Sequence, residues 1–244
     1  MNGSYYEAMR HWLLIDGKPT KDFGVYLSGN GTFKAAEKEL EEFTIPGRNG
    51  TFHYKTTQYK NVIIPYDCFI FKDYRRNVAA FRSFLLSRKG YVRIEDTHHP
   101  DEFRLGIYHE EFDPDVFVDL SAAQFTLNFD CKPERWLKSG ERPINFTTSG
   151  NLYNHTYLTA KPLIRVYGSN GSVTVNNTTV SLTGVSTYAD IDCEAQETHK
   201  DSDYTLNART TLANGEYPSL VPGTNTVSFT GFSRIEITPR WWIL

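Results

Sequence analysis

The stretch FDCKPERWL, residues 129–137, lies where the composition of the chain changes. It closes an alternating apolar run that is typical of a strand. Pro133 has no amide hydrogen to donate to a neighbouring strand and therefore ends that run. Glu134, Arg135 and Trp136 follow, and a tryptophan, which buries a large ring while its N–H still needs a partner, suits a domain junction. An ordinary strand end packed on its own core is the alternative that the sequence leaves open.

The composition on either side of this stretch predicts two domains, residues 1–137 and residues 138–244. A chain of 244 residues is long enough for two modest hydrophobic cores. With 16 Phe, 15 Tyr and 4 Trp, it is rich in the aromatic residues that favour strands. The polar, Thr- and Asn-rich segment 138–157 is the predicted linker between the two domains.

The first half contains one strong helix signal, with Asp73 as the predicted N-cap. Apolar residues then recur at helical spacing, namely Tyr74, Val78, Phe81 and Leu85. The opposite face carries Arg75, Arg82 and Arg88, which is typical of a solvated face but can also meet acidic neighbours in an assembly. We therefore expect an α+β domain with one helix packed on a β-sandwich.

A long hairpin is predicted over residues 43–70. The dense turn signal PGRNG, residues 46–50, precedes two strand-like runs, residues 51–55 and residues 62–70. We expect these two runs to pair with each other and to form a hairpin or arm.

The second half contains no convincing helix signal. Short alternating strands, separated by turns, run through residues 162–168, 172–176, 179–182, 189–193, 225–229 and 234–237. This pattern predicts a β-sandwich or jelly roll. The expected fold class of the whole chain is therefore mainly β.

The formal net charge is −3, and neither half is a basic module. Residues 1–137 hold 18 basic and 20 acidic residues, and residues 138–244 hold 8 and 9. Binding to nucleic acid requires clustered Lys and Arg that displace counterions, so we exclude sequence-specific nucleic-acid binding. The apolar run at residues 12–15 is too short for a signal peptide or a membrane helix. We expect a protein made in a cytoplasm, with no membrane partner and with its three cysteines reduced and buried.

The chain contains no recognisable motif for catalysis or cofactor binding. His98 and His99 could offer metal ligands, but adjacent side chains on a strand point to opposite faces, so a polar turn is the better interpretation. Asp113, Asp115 and Asp119 could supply a carboxylate pair for glycoside hydrolysis, although Asp-Pro is a common turn. We expect no enzyme activity, no cofactor and no metal.

Several stretches, taken in their order and spacing, carry a family resemblance. In the first half these are IPGRNGTFHY, NVIIPYDCFI, the basic amphipathic helix and FDCKPERWL. In the second half they are PLIRVYGSNGSVTVNN, ADIDCEAQ, YPSLVPGTNTVSF and RIEITPRWW. Together they resemble the distal tail protein (Dit) family of long-tailed siphophages over nearly the whole chain.

The resemblance implies a structural protein of the phage tail tip, made in the bacterial cytoplasm and incorporated into the virion. Members of that family form a hexameric ring through the N-terminal domain, between the tail tube protein and the tail-associated fibre or lysin protein. The C-terminal domain is implied to be a galectin-like sandwich onto which receptor-binding proteins dock. No catalytic or cofactor-binding residue comes with the resemblance.

A ring needs complementary patches on each subunit. The acidic residues Glu39, Glu41 and Glu42, close to Arg48, are the predicted subunit-interface residues, and the hairpin of residues 43–70 is a suitable subunit-crossing arm. Solvated charges that protect an edge strand from unwanted pairing are the alternative.

A carbohydrate-binding β-sandwich for host-surface adhesion is the second functional hypothesis. Its candidate sugar-stacking residues are Tyr153, Tyr157, Tyr188, Tyr204 and Tyr217. Packing of these rings in the core or at its rim is the alternative interpretation.

Overall fold

The computed structural model describes residues 10–29, 31–71, 73–116 and 122–244. The chain divides into two compact units. The first runs as far as Arg135 and also includes Leu244, and the second is Trp136–Ile243. No helix among the described residues is both long enough and apolar enough to cross a membrane.

The first unit is built on one antiparallel sheet. Its elements are β1 (Leu13–Ile15), β2 (Lys18–Pro19), β3 (Val25–Leu27), β4 (Lys38–Thr44), β5 (Thr51–Tyr59), β6 (Val62–Phe71), α1 (Tyr74–Leu86), β7 (Val92–Asp96), β8 (Glu102–Ile107), β9 (Asp115–Val116) and β10 (Ala122–Cys131), with a short 3-10 helix at Thr20–Phe23. The sheet order is β2-β1-β7-β8-β10-β6-β3, with β9 beside β10, and β4 and β5 form a separate two-stranded sheet.

Strands β6 and β10 form the centre of this sheet, and they pair from Val62↔Cys131 to Phe71↔Ala122. Alternate residues of both strands are buried, as expected for strands with one face on the core. The last residues of β10, Phe129 and Cys131, are fully buried, so FDCKPERWL begins inside the first core.

Helix α1 buries the apolar stripe predicted from its spacing. Phe81 and Leu85 are fully buried, and Tyr74 and Val78 pack at the edge of the same core. Arg75 and Arg82 of the opposite face are exposed, and Arg88, which is also exposed, lies beyond the end of the helix. Asp73 occupies the predicted N-cap position, but its backbone is left-handed (φ 43°) and its side chain makes no capping hydrogen bond.

The predicted pairing of residues 51–55 with residues 62–70 is also wrong. β5 pairs with β4, from Lys38↔Tyr59 at the base to Thr44↔Thr51 at the turn, whereas β6 pairs with β10 and β3. The turn at residues 46–50 closes the hairpin β4–β5, and β6 enters the main sheet because its alternate apolar residues need a core. The hairpin arm therefore spans residues 38–59.

The second unit is a β-sandwich. Its strands are β11 (Arg135–Leu137), β12 (Ile144–Phe146), β13 (Gly150–Asn154), β14 (Leu163–Gly168), β15 (Gly171–Val175), β16 (Thr178–Leu182), β17 (Thr187–Asp192), β18 (Glu197–His199), β19 (Thr210–Leu212), β20 (Gly223–Thr230), β21 (Arg234–Thr238) and β22 (Trp242–Ile243). Two five-stranded sheets, β12-β21-β14-β17-β18 and β13-β20-β15-β16-β19, bury a common aliphatic core, and 3-10 helices lie at Lys138–Glu141 and Thr205–Arg209. The mainly β fold class is confirmed.

The segment predicted as a linker, residues 138–157, contains two of these strands. β12 pairs with β21 and β13 pairs with β20, each at the edge of its sheet. The two strands were not predicted because their composition is polar. One of the buried positions of β13 is Asn154, whose side chain makes hydrogen bonds to the carbonyl oxygens of Leu158 and Leu220 instead of apolar contacts.

All three cysteines are free and buried, Cys68 and Cys131 in the first unit and Cys193 in the second. Burial raises the pKa of Cys131 and of Cys193 to about 12 each, and it raises the pKa of Cys68 as well. The prediction of buried, reduced thiols is confirmed.

Candidate functional site

The arm, residues 38–59, has no core of its own. Among the side chains described in β4 and β5, only Glu39 and Tyr59 are half-buried, and the others are exposed. An isolated two-stranded hairpin is marginally stable in water, because it cannot bury enough apolar surface. The arm therefore presents a surface that a partner would stabilise.

The register of the arm separates its residues into two faces. Glu41 lies opposite Tyr54 and Phe43 opposite Phe52, so these four side chains share one face, the aromatic face. Alternation places Glu42, which lies opposite His53, on the other face.

The side chains of the aromatic face expose a large part of their apolar surface to solvent. Phe43 and Phe52 are each 51% exposed and Tyr54 is 59% exposed. Ile45, just beyond β4, is also exposed. Contiguous apolar side chains at a surface are typical of protein interaction sites. The aromatic face is accordingly the main candidate for contact with another protein.

The opposite face of the arm is mainly polar and weakly paired, with Leu40 as an exposed apolar residue. Nδ1 of His53 lies 3.4 Å from Oε1 of Glu42, and both side chains are about half-exposed. Ion pairs in such a solvated setting contribute little stability. This face therefore exposes less apolar surface to water than the aromatic face does.

The base of the arm, in contrast, is fixed to the first unit. The backbone N–H of Lys60 donates to the carbonyl oxygen of Glu37 at 2.9 Å, which closes the hairpin. In the segment before β4, Nη2 of the buried Arg104 donates to the carbonyl oxygen of Lys34 at 3.0 Å, and the ring of Phe33 meets the ring of His99 edge-on at 5.1 Å. Because its base is fixed and its end is exposed, the arm extends from the first unit in one orientation.

The structure places all four predicted interface residues on the arm. Glu39, Glu41 and Glu42 lie on β4, and Arg48 lies in the turn, where its backbone N–H donates to Ile45 O at 3.1 Å. Glu41 and Glu42 point to opposite faces, so the acidic run does not form one patch. Reasoning from charge missed the aromatic face, which the alternation of Phe52 and Tyr54 along β5 could have revealed.

The remaining polar candidates lie apart from the arm. His98 and His99 occupy a turn, as predicted: the His98 ring stacks on His11 with centroids 3.9 Å apart, and Nδ1 of His99 lies 2.9 Å from Oδ1 of Asp96. In the described part of the chain, no group of three or more His, Cys, Asp or Glu side chains could hold a metal ion. Asp113 and Asp115 are exposed, and Asp119 lies outside the described residues.

The candidate sugar-stacking tyrosines divide into two sets. Tyr153, Tyr157 and Tyr204 are exposed, Tyr157 to 96%. Tyr188 is half-buried, since its hydroxyl donates to Asp201 and Arg165 covers its ring, and Tyr217 packs against the second core. Only the first set is available for stacking.

At the predicted domain junction, Arg135 forms an ion pair with Glu102 within the first unit. Pro133, Glu134 and Trp136 are each half-buried. Immediately after them, the backbone N–H of Leu137 donates to the carbonyl oxygen of Trp241 at 2.8 Å within the second unit. The stretch Pro133–Trp136 thus leads from the contacts of one unit to those of the other.

Comparison with solved structures shows the same fold in two phage proteins. The Dit protein (gp 19.1) of phage SPP1, described as a paradigm of the hub adsorption apparatus in phages that infect Gram-positive bacteria, has 18% sequence identity and a TM-score of 0.75, over 96% of this chain and 99% of that chain. A chain of the phage p2 baseplate, in its activated conformation with Sr, has 10% identity and a TM-score of 0.54, over 93% and 96% of the two chains.

A family model described as the phage tail protein RIFT-related domain matches residues 19–131, a range that includes the arm and helix α1. No curated protein sequence matches the chain. The resemblance to siphophage distal tail proteins predicted from the sequence is therefore confirmed.

Proposed function

We propose that the protein is a structural distal tail protein that forms a hexameric hub ring at the phage tail tip. The ring joins the tail tube to the baseplate, the tail fibre or the receptor-binding proteins. The single observation that carries this proposal is the exposed aromatic face of the arm, inside a segment that matches a phage tail domain. Its Phe43 and Phe52 need a partner surface, and a second copy of the chain supplies one.

Contact through the arm is compatible with a closed ring. When a patch on one copy meets a different patch on the next, the contact is heterologous, and the copies form a ring if the rotation between them closes and an open filament if it does not. The arm is such a patch, because its base is fixed and its end is exposed. On this proposal, Glu41 lies within the subunit contact, and Glu39, Glu42 and Arg48 lie at its margin.

The proposed partners follow from a position at the tail tip. They are the major tail or tube protein on one side of the ring and the tail-associated fibre or lysin protein on the other, with a receptor-binding protein on the second unit. The protein acts in the virion as a non-enzymatic connector and is made in the cytoplasm of the bacterial host.

The domain organisation belongs to the same proposal. Residues 1–137 form the ring domain, and residues 138–244 form the outward domain, with Pro133, Glu134, Arg135 and Trp136 at the junction. The separate cores of the two units support this division.

The proposal is tested by native mass measurement of the purified full chain over a range of concentrations. We expect six copies, or two stacked rings of six, for the wild-type protein. The double substitution Phe43→Ser and Phe52→Ser should give monomers, because it removes the aromatic face without touching a core. Tyr204→Ser is the matched control, since Tyr204 is equally exposed, at 51%, but lies in the second unit.

A wild-type chain that remains monomeric at high concentration, both alone and with the tail tube protein added, would contradict the ring. If rings still form in the protein with Phe43→Ser and Phe52→Ser, the hexamer would be supported, but the arm would not be part of its interface.

A further inference from the structure

The outward face of the sheet β13-β20-β15-β16-β19 is lined by hydroxyl groups and carries no charge. On β20 the outward residues are Thr224, Thr226, Ser228 and Thr230, since the residues between them point inward. The outward positions of the neighbouring strands β15 and β16 are again serine or threonine. None of the outward positions on these three strands holds Asp, Glu, Lys or Arg. We call this surface the hydroxyl face.

Such a surface is unusual in a chain whose residues are 23% charged, because exposed sheet faces are normally rich in Lys and Glu. Hydroxyl groups both donate and accept hydrogen bonds. Two neighbouring pairs already bond to each other, Ser172 with Thr230 at 3.0 Å and Thr174 with Thr179 at 2.8 Å. The surface therefore favours a ligand that is neutral and itself rich in hydroxyl groups.

An exposed aromatic ring borders the hydroxyl face. Tyr153, on the edge strand β13, lies directly opposite Thr224 and is 54% exposed. Its ring meets the ring of His155 edge-on, with centroids 4.8 Å apart. Tyr157, four residues after Tyr153 and beyond the end of β13, is 96% exposed. The edge strand and the segment that follows it therefore offer two exposed tyrosine rings.

The backbone that presents these rings is fixed by the buried residues between them. Nδ2 of Asn154 donates to the carbonyl oxygens of Leu158 at 2.9 Å and Leu220 at 3.0 Å. The backbone N–H and the hydroxyl of Thr156 both donate to Oδ1 of Asn154, at 2.9 and 2.8 Å. Little conformational entropy is then lost when a ligand covers the rings, and such preorganisation favours binding.

We propose that the hydroxyl face and its aromatic border bind a neutral oligosaccharide. The apolar C–H faces of successive sugar rings stack on Tyr153 and Tyr157, and the sugar hydroxyl groups exchange hydrogen bonds with residues such as Thr224 and Thr226. An acidic sugar would find no cation on the hydroxyl face. On the hydroxyl face itself, a protein partner would find no tryptophan, tyrosine or arginine of the kind that dominates protein interfaces. This binding activity is separate from the ring and goes beyond a connector role.

The test is calorimetric titration of the full chain with maltohexaose, cellohexaose and chitohexaose, and with hexagalacturonate as the anionic comparison. At least one neutral hexasaccharide should bind, and hexagalacturonate should bind at least about tenfold more weakly. Tyr153→Ala should weaken the neutral interaction by roughly tenfold, which corresponds to about 1.4 kcal/mol. Thr226→Lys should also weaken it, because a charge would enter the uncharged surface.

Two variants serve as controls. Tyr204→Ala removes an exposed tyrosine elsewhere in the same unit and should leave binding unchanged. Tyr153→Phe keeps the ring and should retain binding. An unchanged unfolding midpoint in each variant shows that its fold is intact.

The proposal is overturned if none of the three neutral hexasaccharides binds at millimolar concentration, or if binding survives both Tyr153→Ala and Thr226→Lys. None of these variants alters the arm, so native mass measurement on the same samples reports on the ring independently. If the protein forms a ring but binds no sugar, the result contradicts the oligosaccharide proposal and leaves the ring proposal unaffected.

Discussion

Asp192 shows how single polar residues stabilise the second unit. Arg240 donates two hydrogen bonds to its carboxylate, from Nη1 at 2.7 Å and Nη2 at 2.8 Å. The backbone N–H groups of Glu194 and Ala195 donate to the same carboxylate. Burial opposes ionisation of Asp192, but the hydrogen bonds from Arg240 and the backbone outweigh it, so the pKa of Asp192 is lowered.

Because the folded pKa lies below the ordinary value, the ionised Asp192 stabilises the fold above the ordinary pKa of aspartate, about 3.9. That stability is lost as the pH falls through the folded pKa. We expect Asp192→Asn to lower the free energy of unfolding by about 1–3 kcal/mol at neutral pH, and by less below about pH 3. Urea unfolding at the two pH values measures the difference.

Glu194→Gln is the matched control for this prediction. Its carboxylate lies 3.6 Å from Nζ of Lys161, and both side chains are about half-exposed, so its removal should change stability little at either pH. An equal effect of the two substitutions would mean that the Arg240 contact is not specific.

Among the elements, helix α1 could be predicted from the sequence because its signal is local. Tyr74, Val78, Phe81 and Leu85 lie one turn apart, so the spacing alone identifies the buried face. The partner of β5 could not be predicted in this way, since both β4 and β6 adjoin it in sequence and pairing is decided by tertiary contacts. The sequence therefore predicted a strand at β5 but gave that strand the wrong partner.

Phe81 is the residue on which the packing of α1 most depends. It is fully buried, and its ring lies within about 6 Å of the rings of Phe23, Phe112 and Phe125. We expect Phe81→Ala to reduce the free energy of unfolding by about 3–5 kcal/mol, because it leaves a cavity among these rings. Denaturant unfolding of the full chain measures the loss.

The control on the same helix is Leu86→Ala. Leu86 is 54% exposed, so its truncation should change the free energy of unfolding by less than about 0.5 kcal/mol. If Phe81→Ala were equally mild, the helix would not be anchored through this residue.

At the scale of the whole molecule, the mainly β class was predictable, but the full set of strands was not. β12 and β13 lie in a polar segment, and the burial of Asn154 depends on carbonyl groups distant in sequence. Alternation of apolar residues, the signal used for strands, is absent where a buried position is filled by a hydrogen-bonded polar side chain.

Each unit has its own core, so the second should fold without the first. We expect a chain of residues 136–243 to be monomeric and to unfold in one cooperative thermal transition, followed by circular dichroism. β22 and the last two residues of β11, which bring the ends of this segment together, are retained in it. A transition without cooperativity would show that the second unit depends on the first.

The distribution of the three cysteines has a further use. Two thiols lie in one core and one lies in the other, and none reacts readily at neutral pH while it is buried, because only the thiolate is nucleophilic. In an excess of an alkylating reagent, the mass of the intact chain would then increase by two labels when one half opens and by one label when the other half opens. The lifetimes of the two halves can thus be read from a single sample, with no dye or engineered residue added.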